Sequence, residues 1–303
     1  MVRIACILAL TPPVVAAGMG WLAGPSFLHP SRRELSRSLI KEAESSFSEI
    51  GTHPDEFDVR AVDSVLLRGW KVRAVKPNGN WVLVFHGVAD NRAGVVGQAQ
   101  LLLQAGYGVV MMDARAHGAS DGAMATYGWL ERDDSKAAVD VLEATEHPRH
   151  LFALGESMGA GIALQSAAAE PRIEAVVAEA SFANLREASY DYAGLQRYPL
   201  LGMTLLAPGA WTMVYHGELA AGFPASEVSP EKAVAARPFP VLLICDAEDT
   251  VLPCRHTRRI YAAARGPKEL WVVAGAFHAA ALGYEPGEFR RRVLEFFATN
   301  GAH

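Results

Sequence analysis

Short apolar runs alternating with helix-length segments constrain the fold of this chain more than any other feature. Residues 81–85, 109–112, 151–154, 241–244 and 270–273 are unbroken runs of four or five apolar residues, and 173–178 is apolar apart from Glu174, the pattern of strands covered on both faces. Residues 93–104, 127–146 and 286–298 carry helical patterns between or after them. This alternation predicts an α/β fold, with a mostly parallel central sheet flanked by helices. Functional groups in such sheets collect at the carboxyl ends of the strands, so the residues just beyond each run are the candidates.

The run at 151–154 leads straight into Gly155-Glu156-Ser157-Met158-Gly159, and a small-residue helical pattern continues to Ala169. A strand that turns at once into a helix brings its two arms almost into contact. Glycines at 155 and 159 leave room for that approach, and Ser157 is lifted onto the tip of a strained turn. The backbone N–H of Met158, at the start of the new helix, then points to where an oxyanion would form.

A serine hydroxyl needs a base, and the base needs a carboxylate to hold its tautomer. Of the 10 histidines, His86, His117 and His278 stand just past a predicted strand. His278 alone follows the last one, among the small residues Gly275, Ala276, Ala279 and Ala280, and is the expected base. The preceding strand ends in Cys245-Asp246-Ala247-Glu248-Asp249. Asp246, Glu248 and Asp249 are all available there. Asp249 is the best placed, since Val251-Leu252-Pro253 turns the chain beyond it; an Asp ahead of a helix also serves as a cap or turn residue.

The alternation lapses between Ser181 and Pro240. That stretch supplies Tyr190, Tyr192, Leu195, Tyr198, Leu200, Leu201, Met203, Leu205, Leu206, Trp211, Met213, Val214 and Tyr215, and it is too long for an ordinary connection. It reads as a mainly helical cap inserted at 183–236, with the α/β core at 55–182 and 237–303. Ahead of the core, residues 62–67 and 70–75 read as a β-hairpin turning at Arg68-Gly69, and residues 31–54 as a polar, partly helical linker.

Residues 4–28 contain no Asp, Glu, Lys or Arg. About 20 such residues can span a bilayer as a helix, although Pro12-Pro13 interrupts the run. Residues 1–30 are therefore expected to be a signal anchor or a signal peptide, giving a membrane-associated or exported protein; a buried N-terminal helix is the third reading. A net charge of −5 provides no basic field for nucleic acid. The three cysteines lack zinc-ligand spacing. Cys245 and Cys254 read as a core thiol and a separate thiol at a helix start, with pairing as the alternative in an exported chain.

Assembled in order, H-G-V-A-D-N-R (His86 to Arg92), G-Y-G-V-V-M-M-D-A-R-A-H-G-A-S (Gly106 to Ser120), Y-G-W-L-E-R-D-D (Tyr127 to Asp134), G-E-S-M-G-A, D-T-V-L-P and G-A-F-H resemble the α/β-hydrolase superfamily. The likeness is closest to its esterase and serine-aminopeptidase-like branch. This resemblance implies an α/β-hydrolase fold in which Ser157, Asp249 and His278 act as nucleophile, acid and base. It implies that the second oxyanion N–H comes from Val88, beside Met158, and that Arg115, His117 and Glu131 form a loop network behind the site. Two positions depart from the pattern: Asp246 stands where similar sequences often have Gly, and Phe277 where a small residue is usual. The expected activity is hydrolysis of carboxylic esters on a small-molecule ester or acyl substrate, without metal or organic cofactor. The alternatives are a small-peptide hydrolase or acyltransferase, or a non-catalytic binding protein on the same scaffold.

Overall fold

The computed structural model describes residues 2–192 and 201–301. The strands in chain order are β1 (Pro54–Glu56), β2 (Val59–Arg60), β3 (Leu66–Leu67), β4 (Gly69–Val72), β5 (Trp81–Phe85), β6 (Gly108–Met112), β7 (Leu151–Glu156), β8 (Ile173–Glu179), β9 (Val241–Asp246) and β10 (Lys268–Val273). Among the described residues the main sheet has the order β1-β4-β6-β5-β7-β8-β9-β10. From β6 to β10 every neighbouring pair is parallel, while β1 and β4 add an antiparallel margin.

Helices cover both faces of this sheet. In chain order the helices are α1 (Val2–Ala23), α2 (Arg37–Glu49), α3 (Val96–Gln104), α4 (Glu131–Glu146), α5 (Met158–Ala169), α6 (Leu185–Tyr192), α7 (Ala207–Ala221), α8 (Pro230–Ala236), α9 (Arg255–Ala263), α10 (Ala281–Tyr284) and α11 (Pro286–Asn300), of which α1, α6 and α7 lie away from the sheet. Alternation along the strands splits the core in two. On β5, Val82 and Val84 join Leu102, Phe289 and Phe297 on one face, while Trp81 and Leu83 join Leu142, Leu164 and Ile260 on the other.

Three local expectations are corrected. The stretches 62–67 and 70–75 do not form a hairpin. β3 pairs with β2, whereas β4 lies between β1 and β6. The groups at Arg68-Gly69 are spoken for by other segments: Ser120 Oγ accepts from Arg68 N at 2.8 Å, and Gly69 O accepts from Phe57 N at 2.9 Å. The fourth helix begins at Glu131 instead of 127, because Tyr127 and Gly128 have φ of 56° and 115° and Glu131 turns back to accept from the N–H groups of Thr126 and Gly128. The cysteines are not separate thiols: Cys245 and Cys254 form a disulfide with Cα atoms 5.4 Å apart, inside the usual range. Both read as isolated because the bend of the chain at 246–253 cannot be judged from spacing.

Residues 37–49 form an amphipathic helix with Ser36 as N-cap, and its Ala43 and Phe47 are buried in the main core, so this segment packs on the sheet. The N-terminal helix continues through Pro12 and Pro13 to Ala23 and lies alongside α7. Contact is close at Gly20, where a Cβ would sit 1.8 Å from Gly209 O. Thr212 Oγ1 donates to Ala17 O at 2.7 Å, and the Trp21 ring stacks on His216 at 4.3 Å. Among the described residues no helix is long and apolar enough to cross a membrane. The described part of the segment between β8 and β9 is mainly helical. It closes over a third apolar cluster of Leu28, Phe182, Leu185, Val214, Phe223 and Leu252. Of the apolar positions expected in the cap, Leu195, Tyr198 and Leu200 lie outside the described residues, as do the side chains of Tyr192, Leu201 and Met203.

Candidate active site

The turn after β7 is as tight as its glycines suggest. A Cβ on Gly155 would lie 2.3 Å from Gly159 O, and one on Gly159 would lie 2.3 Å from Phe85 O. No side chain fits at either place. Between them Ser157 adopts φ 52° and ψ −118°, a conformation that L-residues avoid and that only surrounding structure can impose. Its N–H donates to Glu179 O at 2.9 Å, which ties the tip of the turn to the end of β8.

His278 reaches this serine from the loop after β10. Its Nδ1 is 2.6 Å from Asp249 Oδ2 and its Nε2 is 2.8 Å from Ser157 Oγ. A carboxylate only accepts, so Nδ1 carries the ring proton and Nε2 is left to accept from the serine hydroxyl. Asp249 is itself held: its Oδ1 accepts from Val251 N and Leu252 N at 2.7 and 2.9 Å. The turn role and the histidine-orienting role are therefore filled by different oxygens of one carboxylate. Of the three candidate acids, Asp249 meets His278. Asp246 instead accepts from Ala279 N at 2.9 Å.

Gly87 lies against the serine, with a position for Cβ 3.7 Å from Ser157 Cβ. Buried His86 fixes the peptide that follows. Ala114 N donates to His86 Nε2 at 3.0 Å, so Nδ1 bears the proton and donates to Gly87 O at 2.7 Å. In a trans peptide the next N–H points opposite to that carbonyl, so the imidazole sets the direction of Val88 N–H. Burial pushes the pKa of His86 below its ordinary value, keeping the ring neutral for both bonds. Met158 opens α5, where N–H groups have no intrahelical acceptor. Val88 and Met158 line the same cavity as Ser157.

Arg115 and His117 come together behind the site, while Glu131 holds the turn at Thr126 and Gly128. Arg115 makes a bidentate pair with Asp134 at 2.6 and 2.8 Å and reaches Asp63 at 2.9 Å. His117 Nδ1 lies 2.9 Å from Arg115 O, and the His117 ring meets the His86 ring edge-on at 5.3 Å. This network holds the β6–α4 loop and does not touch Ser157.

The cavity over Ser157 has a volume of about 400 Å³ and is mostly apolar. Phe182, Leu185 and Met213 line it from the segment between β8 and β9, and Leu252 from the loop after β9. Ser26, Phe27, Pro30 and Ser31 line it from the N-terminal segment. That contribution from the N-terminus was not expected; Tyr127 Oη donating to Phe27 O at 2.7 Å secures it across 100 residues.

Reading strand ends one at a time also misses a group of carboxyls beneath His278. Asp246 and Glu179 are 1% and 3% exposed. Burial pushes Asp246 up to about 6, and burial with Asp246 beside it lifts Glu179 well above the ordinary carboxylate range. Glu156, next to Ser157, is pushed up to about 7 by burial and by Asp90; its Oε2 accepts from Gln98 Nε2 at 2.8 Å. Among the described residues no cluster of His, Cys, Asp and Glu has the arrangement of a metal site.

The model of the serine aminopeptidase (S33) family matches residues 76–212. An uncharacterised Bacillus subtilis protein, YqkD, is 31% identical over 233 residues, covering 76% of this chain and 74% of its own length. Among solved structures, the esterase Pf2001 of Pyrococcus furiosus superposes with a TM-score of 0.71 at 23% identity, over 90% of this chain and all of its own. A hydrolase from Pseudomonas aeruginosa does so with a TM-score of 0.58 at 24% identity, over 80% of this chain and 98% of its own. At these identities the two structures speak for the fold, and YqkD for the family. The chain belongs to the α/β-hydrolase superfamily, in its serine-aminopeptidase-like branch.

Proposed function

We propose that this protein is a serine hydrolase that cleaves carboxylic esters through an acyl-enzyme. The observation that carries the reading is the unbroken chain from Ser157 Oγ through His278 to Asp249, with contacts of 2.8 and 2.6 Å. In this reading His278 Nε2 takes the Ser157 proton as Oγ attacks the acyl carbon, and Asp249 stabilises the imidazolium that forms. The oxyanion is held by the N–H groups of Val88 and Met158, the first aimed by His86 and the second at the start of α5. His278 then returns the proton to the leaving alcohol, and a water activated by the same nitrogen releases the acid.

Esters are preferred to peptides because the cavity is small and largely apolar, which suits an uncharged acyl or alcohol group. The description of the matching family as serine aminopeptidases favours small amides as the second reading. Turnover of short p-nitrophenyl esters beside a panel of aminoacyl amides separates the two. Ser157→Ala is expected to abolish turnover in either case, and undiminished activity in that variant sinks both.

A further inference from the structure

The His278 loop is suspended from two buried carboxyl groups. Ala279 N donates to Asp246 Oδ2 at 2.9 Å, and Ala281 N donates to Glu179 Oε1 at 2.8 Å. Ala279, directly after the histidine, has φ 53°, so its conformation persists only while something holds it. Glu179 also holds the other partner: its backbone carbonyl accepts from Ser157 N. One residue at the end of β8 therefore registers the serine turn by its main chain and the histidine loop by its side chain.

In the β8–β9 register Glu179 stands opposite Ile244, two positions before Asp246, so the two carboxyls sit at neighbouring strand ends, and Asp246 Oδ1 is buried without a hydrogen-bond partner. Two buried carboxylates at adjacent strand ends repel each other; a carboxyl beside a carboxylate does not. The groups that face this pair are Asp249 and His278 from the acid and histidine loops, and Glu156 from β7 with Asp90 beyond it. His278 is the one among them able to carry positive charge, and Asp249 already holds it.

We propose that Glu179 and Asp246 are positioning residues that share one proton, and that the shared proton latches the His278 loop at the distance Ser157 requires. When that proton leaves, repulsion between two buried carboxylates drives β8 and β9 apart at their ends and releases the N–H groups of Ala279 and Ala281. The imidazole then drifts from Oγ. A displacement of about 1 Å at a reacting pair lowers turnover by about a hundredfold. The proposal rests on the reading of Ser157 and His278 as nucleophile and base, but the latch can be measured without turnover.

The test compares the wild-type full chain with Asp246→Asn and Glu179→Gln. Each amide keeps an oxygen for the loop N–H and offers an N–H to the opposite carboxylate, so it imitates the proton permanently. Hydrogen exchange of residues 275–284, corrected for its intrinsic pH dependence, is followed from about pH 6 to about pH 10 together with kcat on a short ester. In the wild type, protection and kcat are expected to fall together, kcat by about tenfold or more. In each amide variant, relative to its own value at low pH, both stay level. Asp246→Ala, which cannot hold Ala279 N, is expected to lose protection at every pH. Protection that stays constant with pH in the wild type overturns the proposal even if no variant folds, and so does an alkaline loss that both amide variants retain. A wild-type protein that shows the pH-dependent protection but hydrolyses nothing sinks the hydrolase reading and leaves the latch standing.

Discussion

Replacing Asp249 by Asn separates orientation of the histidine from support of the loop. The carboxylate does two jobs with two oxygens: Oδ1 accepts from Val251 N and Leu252 N, and Oδ2 accepts from His278 Nδ1. Asn keeps Oδ1 for the loop and presents an NH₂ group to the imidazole. Nδ1 must then accept, the ring proton moves to Nε2, and Nε2 can no longer take the proton of Ser157. Loss of the correct tautomer in a serine hydrolase costs about 10⁴ in rate, which is about 5 kcal/mol of barrier. Folding should change by about 1 kcal/mol or less, since the cap hydrogen bonds persist. The assay is the acylation rate with a p-nitrophenyl ester under single turnover, paired with thermal unfolding. Activity within about tenfold of wild type, in a variant that unfolds at the wild-type temperature, would show that Asp249 is a turn residue only.

Other outcomes follow from the same geometry. Gly159→Ala places a Cβ 2.3 Å from Phe85 O and is expected to destabilise the fold by about 3 kcal/mol or more in chemical denaturation. Gly283→Ala, in α10 with nothing within 4 Å, should be neutral or stabilising by up to about 1 kcal/mol. Reduction of the Cys245–Cys254 bond, which closes a loop with a sequence separation of 9, should lower stability by about 2–3 kcal/mol, read as a drop in Tm with reductant. Asp246 has its carboxyl raised to about 6 from 3.8, so between those values the folded state binds more protons than the unfolded chain and stability falls as pH rises. The full loss is about 3 kcal/mol, and Asp246→Asn should remove it when unfolding free energies at about pH 3 and about pH 8 are compared. Leu185→Trp, on the wall of the cavity of about 400 Å³, should shift ester preference toward shorter acyl chains in a chain-length series.

The features legible in the sequence are those whose cause is local. The strand–turn–helix at Ser157 is visible because both glycines it needs lie within two residues of the serine. The parallel sheet is visible because β5, β6, β7 and β9 are covered on both faces and so read as continuous apolar runs. His278 and Asp249 could be singled out because a strand end is a place, and two successive strands end beside them. Contacts between distant segments carried no such signal. Asp246 and Glu179 each look like an ordinary residue at a strand terminus, and only the adjacency of β8 and β9 makes them a pair. The hairpin at Arg68-Gly69 failed for the same reason, since Ser120 and Phe57 supply the competing hydrogen bonds. At 4–28, composition does not reveal Gly20 seated against Gly209 or Phe27 in the wall of the cavity.

The central claim is that Ser157 is a nucleophile activated by His278. Its most direct measurement is labelling of the folded, full-length protein with a fluorophosphonate, followed by peptide mass mapping of the adduct. The account predicts one adduct, on Ser157, absent from Ser157→Ala and slowed by about 10³-fold or more in His278→Ala. No adduct on Ser157 in folded wild-type protein, or equal labelling rates with and without His278, would contradict it.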